Sequence, residues 1–204
     1  MTRHTAKRPA VRVRWEFSDT PYEHKPAMTL IGFSTLIRME EGYTRCPEFW
    51  DVEYNRKYAR LWQTGRPETP VEQALLENRI GRFAICEQKA DCFEYWIAGL
   101  YRGGAVPEGL KLYRFPESDW AVFSARGPLP GSLQTLNTYI WQTWYPAEGQ
   151  QVVGNGAAAL EVYSAGDMQS PDYECGIWVP IVRPQQTADD SAETAAAAAL
   201  LGLL

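Results

Sequence analysis

The hydrophobic periodicity of this 204-residue chain passes through the same order twice, and that order confines the fold more tightly than any single motif. In the first half, MTLIGFSTLIR at 28–38 reads as a strand from its β-branched and apolar residues. In RCPEFWDVEYNRKYARLWQ, Trp50, Tyr54, Tyr58, Leu61 and Trp62 recur at helical spacing, with Pro47 suited to a first helical turn. A short helix is predicted from Thr69, because Thr69-Pro70-Val71-Glu72 supplies an N-cap, an N1 proline and a capping-box glutamate. Strands at 82–88 and 92–100 follow, joined by a polar turn from Lys89 to Asp91. In the second half LKLYRF and DWAVFSARG form a strand pair. Leu133, Leu136, Ile140 and Trp144 then mark a helix that Pro146 stops, and AALEVYS and CGIWVPIV close the order. Each half reads β-α-β-β. The fold class expected is α+β: two pseudo-symmetric β-α-β-β units forming an antiparallel sheet, with helices on one face and a ligand cleft at the seam.

The two ends stand apart from this pattern. Residues 1–27 form a basic arm containing Arg3, Lys7, Arg8, Arg12 and Arg14; the domain runs over 28–183; and 184–204 is a low-complexity tail with Asp189, Asp190 and Glu193. Five basic residues without a helix-turn-helix or zinc pattern read as a solvated terminus, so no direct DNA binding is expected. No run of 18 uncharged apolar residues occurs, so no membrane partner is expected either. Four cysteines, Cys46, Cys86, Cys92 and Cys175, fit neither a zinc spacing nor a dense disulfide framework and read as reduced thiols of a cytoplasmic protein. The only histidines are His4 and His24, both in the arm, which leaves almost no material for a Ser-His-Asp triad or a histidine metal site. No cofactor and no metal are expected, and no motif sets an oligomeric state. Any proton chemistry falls to carboxylates or tyrosines. The 13% aromatic share, with 8 Trp and 11 Tyr, is unusual for so short a chain, and such side chains line ligand pockets and interfaces as well as cores.

Strand alternation then selects candidates. In ALEVYS it places Leu160 and Val162 on one face and Glu161 with Tyr163 on the other. With Leu160 and Val162 toward the helices, Glu161 faces the cleft; the alternative is a surface glutamate on a solvated sheet face. Trp178 lies out of phase with Ile177, Val179 and Ile181 and is expected to join Glu161, or else to lie over an exposed sheet. In FEYWIAG, Phe93, Tyr95 and Ile97 oppose Glu94 and Trp96, and both sets contain aromatics; Tyr95 is favoured for the pocket and Trp96 retained as a candidate. Trp120 lines the cleft or caps its hairpin. Trp50, Trp62, Trp141 and Trp144 sit at helical spacing and read first as core, with Trp50 placed to reach a pocket mouth.

These segments resemble the GyrI-like small-molecule-binding domains, the effector-binding domains of AraC-type and MerR-type transcription regulators. The likeness covers about residues 28–183 and is carried by CPEFWDVEY, FEYWIAG, VPEGLKLYRFPESDWAVFSARGPLPGSLQ, IWQTWYP, LEVY and YECGIWVPI, in order and with matching spacing. The resemblance implies two β-α-β-β units, in agreement with the periodicity. It also implies that the glutamate of LEVY, Glu161, presents a carboxylate to ligand. Close relatives usually follow a DNA reader, whereas only about 27 residues precede the match here. The function expected is a stand-alone module holding a lipophilic cationic or aromatic compound, with Glu161, Tyr163, Trp178, Tyr95, Trp96, Trp120 and Trp50 as ligand-binding candidates. Two alternatives follow from the same resemblance: a metal-independent hydrolase of reactive cyclopropane-containing molecules with Glu161 catalytic, and a protein-interaction inhibitor of a DNA topoisomerase.

Overall fold

A computed structural model describes residues 22–154 and 158–182, so the expectations for residues 1–21 and 183–204 lie outside the described residues. Eight strands form one antiparallel sheet that curls into a half-barrel: β1 (Tyr22–Lys25), β2 (Met28–Arg38), β3 (Phe83–Gln88), β4 (Cys92–Leu100), β5 (Lys111–Phe115), β6 (Ser118–Arg126), β7 (Ala159–Tyr163) and β8 (Glu174–Ile181). Their spatial order is β1-β6-β8-β7-β3-β4-β2-β5, which reads alike from either end once the halves are exchanged. Each half contributes an outer strand, a strand that leads into helix, and a returning hairpin. The halves meet where β3 pairs with β7, Ala84 opposite Glu161. Residues Tyr22–Lys25, placed in the arm by the sequence, belong to this sheet: they pair with β6, and His24 reaches Asp119 at 3.1 Å and Glu117 at 3.0 Å.

The helices are α1 (Gly42–Phe49), α2 (Ala59–Thr64), α3 (Pro70–Glu77), α4 (Gly131–Tyr139) and α5 (Gln150–Val152). α3 begins as its sequence dictates, with Thr69 and Glu72 forming a reciprocal capping box and Pro70 in the first turn. Pro47 and Pro146 behave differently from expectation. Helix α1 starts at Gly42, so Pro47 lies inside it, and the chain continues as a π-helical stretch, Trp50–Arg56. α4 likewise runs into a π-helical stretch, Ile140–Gly149, which contains Pro146 instead of ending at it. In the second stretch, wide turns with i→i−5 bonds, such as that from Gln150 N to Tyr145 O, tolerate at Pro146 a residue that cannot donate and whose ring would crowd an ordinary helical turn.

All the helical packing falls on one sheet face. Leu61, Leu75 and Ile80 cover Ile31 and Ile97 in the first half, and Leu136, Ile140 and Trp144 cover Phe123, Ile177 and Val179 in the second. Curling of the sheet buries the opposite face as well, around Leu30, Ile85, Trp96, Phe115, Trp120 and Leu160.

Candidate functional site

At the seam, one row of paired residues crosses the helix-covered face: Ile97, Ala84, Glu161, Ile177 and Phe123. A single carboxylate therefore sits in an otherwise apolar row at the centre of the sheet. Its oxygen Oε2 accepts from the hydroxyl of Tyr163 at 2.7 Å and from that of Tyr95 at 2.8 Å, while the Cys86 thiol points to Oε1 at 3.8 Å. Tyr95 belongs to β4 and reaches Glu161 across β3, where Ala84 and Cys86 leave space for its ring. The Tyr95 oxygen is held in turn by the Trp50 indole N–H at 2.8 Å. Trp50, Tyr95 and Glu161 form one directed chain of donors ending on the carboxylate.

Both helical layers close over this network. Cys46, Phe49 and Trp50 come from the first, Leu129 and Leu133 from the approach to and first turn of the second, and all pack on the cluster of Ile37, Ala84, Tyr95 and Tyr163. The Trp50 ring meets Tyr163 edge-on at 5.2 Å and Phe49 meets Tyr95 at 6.3 Å. Farther out, Tyr43 of α1 bonds Thr138 of α4 at 2.9 Å and accepts from Asn137 at 3.3 Å, tying the two helices together.

Burial raises the Glu161 carboxyl above its ordinary range, and the donors Tyr163, Tyr95 and Cys86 oppose that rise only in part. The same burial, reinforced by the carboxylate's charge, pushes Tyr95 and Tyr163 well above the ordinary phenol range and holds them as neutral donors. Cys46 and Cys86 are raised for the same reasons, so neither is an activated thiolate. Among the described residues no arginine, lysine or histidine forms an ion pair with Glu161. Among the described residues no group of three histidine, cysteine or carboxylate side chains gathers as a metal site.

Of the sequence candidates, Glu161, Tyr163, Tyr95 and Trp50 come together. Trp178, Trp96 and Trp120 do not: they lie on the opposite sheet face. Trp96, Ile85, Leu160 and Trp178 form the neighbouring row of paired residues, displaced by one from Glu161 and therefore on the other side. There the Lys25 ammonium covers the Trp178 ring at 4.0 Å, Lys111 covers Trp96 at 4.7 Å, and Trp120 is fully buried beside Phe115. Helices cover the face of Glu161, Ile177 and Val179, not that of Leu160 and Val162, which corrects the expected orientation of β7. Among the tryptophans read as core, Trp144 is buried, whereas Trp62 and Trp141 remain exposed on their helices. Sequence reasoning missed Phe49, Cys86 and Tyr43; the helical spacing of Tyr43, Cys46, Phe49 and Trp50 was the signal available for two of them.

A curled antiparallel half-barrel with two helical layers over its seam defines a GyrI-like effector-binding domain. Residues 23–181 match the model of the Cass2 family of integron-associated effector binding proteins, and the chain belongs to that family. Its fold is shared with SAV2435 bound to tetraphenylphosphonium, at a TM-score of 0.63 and 21% identity over 80% of this chain and 93% of that one. A putative bacterial transcription regulation protein from Staphylococcus aureus MU50 follows the same course, at a TM-score of 0.59 and 19% identity over 79% and 96%. So does the integron cassette protein VCH_CASS2 of the Vibrio cholerae mobile metagenome, at 0.54 and 9% over 79% and 95%. No curated protein matches the sequence. Among the described residues no helix is long and apolar enough to cross a membrane.

Proposed function

We propose that this effector-binding domain takes a lipophilic organic cation at the seam, with Glu161 as its counter-charge and Tyr95, Tyr163, Trp50 and Phe49 as its aromatic surround. One observation carries the reading: a carboxylate at the centre of an apolar row, satisfied by neutral donors, has no positive partner among the described residues. A buried charge of that kind is costly unless something compensates it, and a cation with apolar substituents brings the charge without needing water around it. The ring faces nearby add cation–π attraction. The tetraphenylphosphonium bound to SAV2435, a protein of the same fold, has this chemistry.

Because Trp50 and Phe49 pack directly over Tyr163 and Tyr95, a ligand of that size requires the two helical layers to part. Isothermal titration with tetraphenylphosphonium tests the reading. Glu161→Gln keeps volume and hydrogen-bonding reach but removes charge, and is expected to weaken binding by roughly 1–3 kcal/mol. The neutral triphenylphosphine oxide is expected to lose less. Equal affinity of wild type and variant for the cation rejects the site. The raised proton affinity of Glu161 also suits a general base, and the hydrolase reading gives a different result: the compound is consumed, and the same variant binds without turnover.

A further inference from the structure

The geometry points to a second site, at the end of the β3–β7 seam and on the far side of Tyr163 from Glu161, that binds a small organic anion: Arg79, Arg82 and Arg102 line a hollow of about 270 Å³ where β3 begins and β4 and β7 end, with Tyr163 also in its wall. Phe83, Leu100 and Val162 supply its apolar wall.

The arginine-bearing turn is rigidly built. Helix α3 is C-capped by Asn78, whose buried side chain donates to Ala74 O at 3.0 Å and accepts from the backbone N–H of Arg102 at 2.9 Å, pinning the helix end to the chain leaving β4. Gly99 lets that turn lie flush on β4, since a Cβ there would come within 2.1 Å of Asn78 O. Arg82 donates through Nη1 to Tyr163 O at 3.3 Å, leaving the rest of its guanidinium fork unengaged. Arg79 occupies the left-handed position after the helix, with φ of 50°, where glycine is the unstrained choice. A strained non-glycine residue at a cavity edge directs attention to what its side chain does there.

Charge supplies the independent argument. Among the described residues none of the three guanidinium groups pairs with a carboxylate, whereas Arg45, Arg56 and Arg60 each do. Three unpaired cationic side chains lining one hollow leave positive charge there uncompensated, and an anion would compensate it. The planar forks suit a carboxylate or phosphoryl group, held bidentately. Leu100, 45% exposed, and Phe83 then offer contact to an apolar body. The volume lies just below the usual range of ligand pockets, about 300–1,000 Å³, so the ligand is compact, of the size of a single substituted ring.

Titration of the full chain with phenyl phosphate and with benzoate tests the site and distinguishes the two head groups, with benzyl alcohol as the neutral control. Binding of at least one anion with a Kd below about 1 mM is expected, without detectable binding of the alcohol. Arg79→Gly with Arg102→Gln should weaken it tenfold or more, while tetraphenylphosphonium binding stays within about twofold. Arg79→Gly alone should weaken the anion yet raise the melting temperature by about 2–4 °C through relief of the left-handed strain, a combination that a purely structural arginine would not give. Failure of both anions to bind, or unchanged anion affinity in the double variant, overturns the proposal. Inorganic phosphate binding as tightly as phenyl phosphate overturns its apolar half.

Discussion

Tyr95 and Glu161 stand on strands β4 and β7, with β3 between them, and still meet at 2.8 Å. Strands two places apart are separated by roughly 9.5 Å, a gap that a tyrosine and a glutamate can close only if the strand beneath them carries small side chains. Ala84 and Cys86 meet that requirement. The relationship joins the two pseudo-symmetric halves through one hydrogen bond, and it makes Tyr95 both a donor to the carboxylate and the acceptor for Trp50.

That dual role orders the two tyrosines. Tyr163→Phe removes one bond to Glu161, whereas Tyr95→Phe removes a bond to Glu161 and also leaves the Trp50 indole N–H without its partner. Tyr95→Phe is expected to cost about 1–3 kcal/mol and Tyr163→Phe about 1 kcal/mol. Urea denaturation of both variants checks the order; equal losses would show that the Trp50 bond contributes nothing.

Glu161 sets a pH dependence whose sign is fixed by the direction of its shift. Its proton is held more tightly in the folded protein than in the unfolded chain, because burial outweighs the tyrosine donors. Between the two pKa values the folded state binds more protons, so its contribution to stability falls as pH rises above about 4.3 and stays reduced beyond the folded-state value. Glu161→Gln imitates the protonated acid. Melting curves should show the variant more stable than wild type at pH 7, with the difference closing toward pH 4. A variant less stable at pH 7 would mean that the ionised carboxylate strengthens the fold.

The repeated β-α-β-β order was legible because period-two and helical spacings are local properties, and every strand read from the sequence lies within two residues of its place. Which face of β7 met the helices was not legible. In a flat sheet with one solvated face, Leu160 and Val162 would mark the core and Glu161 the exterior. Here curling buries both faces, so apolar residues occupy both phases of β7 and β8, and alternation could not indicate which side Trp178 shared. The continuation past Pro146 was equally hidden, since the π-helical spacing that accommodates it leaves no composition signature.

Tyr43 closes the outer side of the seam, bonding Thr138 and Asn137 although it is itself 55% exposed. Exposed bonds of this kind contribute little stability, so Tyr43→Phe should change unfolding free energy by less than about 1 kcal/mol. If helix parting admits the ligand, the variant binds tetraphenylphosphonium faster. Stopped-flow tryptophan fluorescence measures the rate, and an unchanged association constant would place the opening elsewhere.

Residues 1–10 and 188–204 offer few apolar anchors, a matter of composition alone. Deleting both should leave the melting temperature within about 1 °C. A drop of several degrees in differential scanning calorimetry would show that one of them docks on the domain.

The opposite placement of two tryptophans gives the sharpest test of where the ligand sits. Trp50 stands over Tyr163 and bonds Tyr95 on the Glu161 face, while Trp178 lies under Lys25 on the other face. A cation at Glu161 draws on the Trp50 ring and cannot touch Trp178 through the sheet. Trp50→Phe keeps a ring but removes both the indole donor and part of the π surface, and should weaken tetraphenylphosphonium by about 0.5–2 kcal/mol. Trp178→Phe should leave that affinity unchanged. Both proteins retain seven other tryptophans for detection, so titration under identical conditions compares them directly. The reverse outcome, loss with Trp178→Phe and none with Trp50→Phe, would move the cation to the aromatic face beneath Lys25 and Lys111 and leave Glu161 without a ligand.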